Sequence, residues 1–374
     1  EAQIEPPFYA FLEDRRAPQG EPAAWLFEGL IDCLIAWDTQ TLVETLARLE
    51  REPGWVVAAL DYELGYLLEP RAAPLAWVPS ASRPLARFWR FTDCLFLHPE
   101  EAESWLAAHV NEAAAGVGGL RPLVSENEHL AAVDRIKHLI SDGDCYQVNF
   151  TLPIEFEWFG APLDLYARLR QHQPVRYGGF VGDTQQGLVS LSPELFLERR
   201  ADRLLARPMK GTAPRHSSPE QLRVSEKDRA ENLMIVDLLR NDLGRIADNG
   251  SVVVDRLFEI EDYPTVWQMV SEVSARIGNC KFAEVLQALF PCGSITGAPK
   301  IRAMQIAAEL ESSPRGLYTG AVGWLAPNGD FRLNVAIRTL ELKAGQTGKL
   351  GVGGGIVADS QPASEWQECL LKAK

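Results

Sequence analysis

The sequence predicts an α+β fold, and three observations carry that reading. Strand-like runs at Trp55 to Leu60, Cys145 to Ile154, Gly187 to Arg199 and Phe331 to Leu342 are interleaved with amphipathic stretches, without the regular alternation that builds a doubly wound parallel sheet. The run from Phe331 alternates cleanly: Phe331, Leu333, Val335 and Ile337 fall on one face, Arg332, Asn334, Ala336 and Arg338 on the other, as a strand requires. With 374 residues, 46% of them hydrophobic, the chain can bury a sizeable core, as two domains or as one large one.

Taken in order, the first 120 or so residues give a helix at Thr41 to Arg51 and the strand at Trp55 to Leu60, but no cluster of chemical groups. Ser125-Glu126-Asn127-Glu128 is a capping-box pattern. It opens a helix with Leu130, Val133, Ile136 and Ile140 on one face and Gly143 as its stop. The main boundary is placed there, dividing residues 1–124 from 125–374. Beyond it follow the strands at 145 and 187 and a helix from Ser225 to Leu243. Two amphipathic helices span 281–290 and 300–310, the second opened by Pro299 in its first turn. No internal repeat or low-complexity tract is present.

A formal net charge of −14 argues against nucleic acid or an anionic membrane as partner, since either needs a basic face. Six cysteines, at 33, 94, 145, 280, 292 and 369, form no CxxC pair and have no histidine at zinc-ligand spacing, so they read as reduced and structural. No run approaches the roughly eighteen apolar residues of a membrane span, and the acidic N-terminus is no secretory signal. The expected compartment is the cytoplasm. The chain begins at Glu1 without methionine and stops at Lys374 within a helical pattern, which points to ends cut from a longer protein.

Chemistry concentrates in the second region. Lys210, in Arg207-Pro208-Met209-Lys210-Gly211-Thr212, is an amine on a glycine-flanked turn and a candidate nucleophile. Sixteen residues upstream, Ser192-Pro193-Glu194 offers a carboxyl group to exchange its proton. Glu365 and Glu368 share one face of a C-terminal helix with Lys372; the plainer reading is a solvated salt bridge, the functional one a divalent cation beside an anion. Glu231 reads as a first-turn carboxylate, and Asp237, Arg240, Asn241 and Asp242 as a salt-bridge and capping network outside the site. The run Gly351-Val352-Gly353-Gly354-Gly355 departs from GxGxxG and is no dinucleotide fingerprint. It reads either as a turn or as backbone N–H groups gathered round an anion. Arg338 is either a surface strand arginine or a guanidinium able to clasp a carboxylate. Cys292 to Lys300 makes a tight turn into a helix, a place where anions settle.

Read together, Ser192–Glu194, Arg207–Arg215, Ala230–Asp242, Gly293–Lys300, and Gly353–Ser360 with Glu365-Trp366-Gln367-Glu368 resemble the chorismate-utilising enzymes. The resemblance covers roughly 126–374, and Phe8–Glu13 and Leu60–Tyr66 look like that family's variable first region. It implies a sandwich of two large β-sheets with helices packed outside, residues 1–124 and 125–374 intertwined in one unit, and chorismate in the cleft between the sheets. It implies Mg²⁺ on Glu231, Glu365 and Glu368, with Gly353, Gly354, Gly355, Arg338, Lys372, Thr296 and Tyr318 on the substrate. Anthranilate synthases carry alanine where Lys210 stands, and isochorismate and salicylate synthases carry a water-activating lysine where this chain has Gln147. Both positions point to members that exchange the C4 hydroxyl for an amino group: Lys210 attacks C2, Glu194 protonates the leaving hydroxyl, and ammonia then displaces the lysine. For this Lys210 must be neutral, about 4.6 kcal/mol uphill at pH 7 for an ordinary lysine, so a buried, cation-rich site is expected.

Gln268 stands where many members have a histidine that assists pyruvate elimination, which disfavours an aromatic product because an amide transfers no proton at neutral pH. The chain has no cysteine–histidine pattern of its own for releasing ammonia, so a separate glutamine amidotransferase is expected to supply it. A pyridoxal-phosphate-dependent lyase, fused or separate, would complete the aromatic ring. The competing readings are an anthranilate or aminodeoxyisochorismate synthase, and a non-enzymatic regulator that binds chorismate without turnover.

Overall fold

In the computed structural model, residues 7–111 and 114–373 are described; the chain ends Glu1 and Lys374, read above as cut, lie outside them. Eighteen strands join edge to edge through hydrogen bonds, and the network folds into two layers. Strand Trp55–Leu60 shows how. Val57 and Ala59 enter a core lined almost wholly by strands, together with Leu12, Phe27, Phe91 and Val322. Val56, Ala58 and Leu60 face a second core that helices Glu226–Leu243 and Phe282–Leu289 close with Ile235, Leu239 and Val285. On the opposite layer, strands Gln147–Phe159 and Thr347–Ile356 bury Leu152, Ile154 and Val352 beneath helices Pro162–His172 and Pro362–Ala373. An apolar residue on each face of the same strand is why these runs read as nearly continuous hydrophobic segments.

The two sequence regions are sewn together by pairing. Tyr9–Glu13 lies antiparallel between Ala24–Ala36 and Tyr177–Gly182, and Trp55–Leu60 pairs with Ala321–Leu325. The capping box is present: Ser125 caps helix Glu126–Ser141 and Glu128 answers from the third position. That helix also buries His129 and Leu139, beside the expected Val133 and Ile136. No disulfide joins the six cysteines, and no helix among the described residues is long and apolar enough to cross a membrane.

Two expected strands are each divided. Gly187 to Arg199 is interrupted after Ser192, and the second part restarts at Leu195 with Pro193-Glu194 between them. Phe331 to Leu342 is two strands, Phe331–Val335 and Thr339–Lys343, separated where Arg338 takes a positive φ of 50°. The expected polar face also fails. Asn334 and Ala336 are buried: Asn334 donates to the Tyr177 carbonyl at 2.9 Å, and Ala336 packs into the strand-lined core with Val57 and Val322. Helix Lys300–Leu310 has the expected bounds, with Pro299 as its N-cap rather than in its first turn.

Candidate active site

Four elements bring charged groups to one place. Lys210 sits on strand Met209–Pro214, partly buried, and its amine feels the charges of Glu194, Glu231 and Lys372. Burial pushes its pKa below the ordinary lysine range, Lys372 adds to this, and Glu194 and Glu231 oppose it. Beneath it Asn232 donates from Nδ2 to the Lys210 carbonyl at 3.2 Å. The Ser271 hydroxyl in turn donates to Asn232 Oδ1 at 2.6 Å, so the backbone under the amine is pinned from a fully buried side chain. The sequence reading missed Asn232, although a polar residue opening the apolar run Leu233-Met234-Ile235-Val236 was a visible signal.

Glu194 occupies the break that Pro193 makes between two strands, and only 4% of it is exposed. Burial raises its carboxyl pKa to about 6, against the lowering effects of the Ser294 hydroxyl, the Lys210 charge and the Met209 N–H. The same physical cause therefore acts on both partners in opposite directions: desolvation favours a neutral amine and a neutral acid over an ion pair.

Glu231 is the sixth residue of helix Glu226–Leu243, so it is not the first-turn carboxylate expected from sequence; Glu226 and Asp228 hold those positions. Burial raises its pKa, while Lys210 and Lys227 lower it. In the outlying network Arg240 pairs with Asp237 at 3.0 Å and Lys300 with Asp242 at 2.5 Å.

The glycine run is neither a turn nor a nest of converging N–H groups. It is the end of strand Thr347–Ile356, in register with Gln147–Phe159 through Gly353↔Thr151, Gly354↔Phe150 and Gly355↔Asn149. What glycine provides here is clearance. A Cβ on Gly354 would lie 3.3 Å from Glu365 Oε2 and 3.9 Å from both Glu368 Oε1 and Lys372 Nζ, and one on Gly355 would strike Gln147 Nε2 at 2.5 Å. Lys372 donates to the Gly353 carbonyl at 2.8 Å and pairs with Glu368 at 2.6 Å. Gln147 is buried with neither amide atom partnered, an arrangement that costs about 1–3 kcal/mol per group until water or a ligand fills it.

The three carboxylates expected to share a cation do not form one cluster: no three metal-ligating side chains converge among the described residues. Glu231 feels the charges of Lys210 and Lys227, and Lys372 holds Glu368. Glu365 and Glu368 do remain a like-charged pair, and burial, then Glu368, raise the Glu365 pKa. Such a pair suits Mg²⁺, which takes only one or two protein carboxylates and keeps its own waters.

Other expected contacts are placed differently. Thr296 is fully buried and its hydroxyl donates to the Gly293 carbonyl at 3.1 Å, so it secures its own turn. Tyr318 packs its ring over Gly351, where a Cβ would overlap it, and burial raises its pKa. The Arg338 guanidinium donates to Gln173 Oε1 at 2.9 Å and shares no hydrogen bond or ion pair with the other candidates. Gln268 is buried and accepts from the Thr212 hydroxyl at 3.0 Å, directly across the ladder. A separate depression lined by Leu12, Trp25, Tyr177, Trp324, Arg332 and Asn334 contains none of these groups.

The family model described as chorismate binding enzyme matches residues 32–374. Over 285 residues, 73% of this chain, the sequence is 40% identical to an aminodeoxychorismate synthase component 1 from Klebsiella aerogenes and covers 63% of that protein. Over 272 residues, 70% of the chain, it is also 40% identical to an anthranilate synthase component 1 from Pseudomonas aeruginosa, covering 55% of it. The chain thus spans little more than half the length of such relatives. An anthranilate synthase component I structure from Streptococcus pneumoniae superimposes with a TM-score of 0.74 at 25% identity, covering 98% of this chain and 89% of that one.

Proposed function

The chain belongs to the chorismate binding enzymes, and on that premise we propose that it acts as the component 1 of an aminodeoxychorismate synthase. Chorismate and ammonia would give 4-amino-4-deoxychorismate, a precursor of p-aminobenzoate and folate. Overall identity does not select this reaction, because it is 40% to both an aminodeoxychorismate and an anthranilate relative. The carrying observation is the buried pair of Lys210 and Glu194, whose pKa values are displaced towards each other.

A pair holding one proton between an amine and an acid can exist as an ion pair or as its neutral tautomer. The neutral tautomer is the reactive one, and burial favours it. The Lys210 amine would form a bond to C2 of chorismate while the ring double bonds shift and the C4–O bond breaks. Glu194 would pass its proton to the departing hydroxyl, releasing water. Ammonia adding at C4 would then return the double bonds and expel Lys210 as the free amine, and the proton shed by the new ammonium would reload Glu194. Both groups end as they began. Gln268, bonded to Thr212, cannot take up a proton at neutral pH, in keeping with a non-aromatic product.

Glu365 and Glu368, the like-charged pair on helix Pro362–Ala373, are the side chains that would hold Mg²⁺. When bound, the ion supplies positive charge against a substrate carboxylate. Replacing both Glu365 and Glu368 with glutamine should weaken Mg²⁺ binding to the protein alone by tenfold or more, on the scale of about 1.4 kcal/mol per decade, read by titration calorimetry. The Glu365 pKa is raised, so its acid form persists to higher pH than in an ordinary glutamate. Mg²⁺ affinity should therefore start to fall earlier as the solution is acidified. Affinity unchanged in the double variant would remove these residues from the metal.

The ammonia would come from a glutamine amidotransferase subunit, the partner that the designation component 1 of the relatives implies, with a pyridoxal-phosphate-dependent lyase acting on the product. Mass spectrometry after incubation with chorismate, Mg²⁺ and ammonium tests the reaction. 4-Amino-4-deoxychorismate is the expected product; anthranilate with pyruvate would reassign the chain to the rival reaction.

A further inference from the structure

Glu194 is fixed by more than its backbone. Its N–H donates to the Ser192 hydroxyl at 3.3 Å and its carbonyl accepts from the Val335 N–H at 3.0 Å, which settles where the side chain starts. The carboxyl group at its end has one side-chain hydrogen-bond donor. Ser294, 1% exposed, donates from its hydroxyl to Glu194 Oε1 at 2.6 Å. That serine lies one hundred residues away in sequence, on the short 3₁₀ turn Gly293–Ile295.

The turn is built to hold a position. Gly293 lies against helix Glu226–Leu243 so closely that a Cβ would meet Leu238 Cδ2 at 2.6 Å. Lys300, at the start of the next helix, is bound to Asp242 at 2.5 Å and to the Leu289 carbonyl at 3.2 Å. The Thr296 hydroxyl closes the turn on Gly293, and its carbonyl accepts from the Asn149 N–H at 3.0 Å. A hydroxyl held this firmly fixes the rotation of the carboxyl group it touches.

We propose that Ser294 is a positioning residue for Glu194: its hydroxyl sets which carboxyl oxygen faces the reacting centre and how readily that oxygen parts with its proton. The inference rests on the reading of Glu194 as the proton donor. Groups facing this carboxyl are the Lys210 amine, the Met209 N–H, the Ser294 hydroxyl and the Cys292 thiol. Burial and then the Glu194 charge raise the thiol pKa to about 12, so it stays neutral through the working range and Lys210 is the remaining charged neighbour. Ser294 Oγ also lies 3.2 Å from the Cys292 sulfur, a weak contact beside the short bond to Glu194.

The sign follows from which form the bond favours. A hydroxyl donating to a carboxylate stabilises the ionised form, so losing it should drive the Glu194 midpoint upward. In protein labelled with ¹³C at glutamate carboxyl carbons, with the Glu194 resonance assigned by its disappearance in Glu194→Gln, the wild type should titrate at about 6. Ser294→Ala, which removes only the hydroxyl oxygen, should raise that midpoint by roughly one to two pH units, the worth of a hydrogen bond to a charged group. Ser294→Thr, which restores a hydroxyl, should return it. The same variants are then followed by the pH profile of kcat/KM, in which Ser294→Ala should carry the inflections to higher pH.

A Glu194 midpoint unchanged in Ser294→Ala, or raised equally in Ser294→Thr, overturns the proposal. A raised midpoint without any movement of the kinetic inflections keeps Ser294 as the group that tunes Glu194. That result instead removes Glu194 from proton transfer, so the two readings fail separately.

Discussion

Replacing Lys210 with alanine is expected to abolish formation of the amino product and of any adduct between protein and chorismate. The turnover lost should be about four orders of magnitude or more, the scale on which loss of one member of a catalytic unit registers. The fold should survive. Lys210 touches the scaffold through its backbone, where Asn232 holds its carbonyl, and removing a buried amine relieves desolvation that its neighbours only partly offset. Intact-protein mass spectrometry with ammonia withheld is the decisive reading, because the lysine adduct then has no nucleophile to release it. An adduct of substrate mass less one water in the wild type and none in Lys210→Ala assigns the nucleophile. Equal turnover in both proteins would remove Lys210 from the chemistry and with it the distinction from the anthranilate reaction. Arginine at this position should be as inactive as alanine, since a guanidinium does not deprotonate in proteins.

What could be read from sequence follows from what local pattern encodes. Trp55–Leu60 was legible because six consecutive apolar residues without a break leave few alternatives, and helix Glu126–Ser141 because a capping box satisfies its own first turn. The interruption of Gly187 to Arg199 was marked by Pro193, but a run of apolar residues on either side masked it. The interruption near Arg338 had no such mark: a positive φ at an arginine is imposed by tertiary packing, not by the residue. Glu231 was assigned to a first turn because it stands just ahead of the apolar run Leu233–Val236, although the helix itself was read from Ser225, six residues upstream. Residues that act through distant partners left the weakest trace. Ser294 reads as an ordinary turn residue until Glu194 is brought beside it, and Asn232 as a helix polar residue until the Lys210 carbonyl is found above it.

Arg315 shows the same limit on a larger energetic scale, and its removal should be the most damaging single change to stability. Its guanidinium is 1% exposed and pairs with Glu311 at 2.8 Å. It also donates to the Ile295 carbonyl at 3.0 Å and the Asn149 carbonyl at 2.6 Å, and lies 4.2 Å over the Tyr62 ring. Glu311 in turn accepts from the Thr151 N–H at 3.0 Å and hydroxyl at 2.9 Å. One cation therefore ties strand Gln147–Phe159, the turn that carries Ser294, and the first region of the chain through Tyr62. In Arg315→Met the aliphatic volume remains but Glu311 becomes a buried charge without a counterion. Breaking such a pair costs about 3–5 kcal/mol, a large share of the roughly 5–15 kcal/mol that holds a folded protein. The midpoint of denaturant unfolding should fall accordingly. Adding Glu311→Gln should recover part of the loss, because it removes the stranded charge while retaining an acceptor for Thr151. The coupling between the two changes is the quantity to measure. If they prove additive, the two charges do not depend on one another and the buried pair is not what holds this junction.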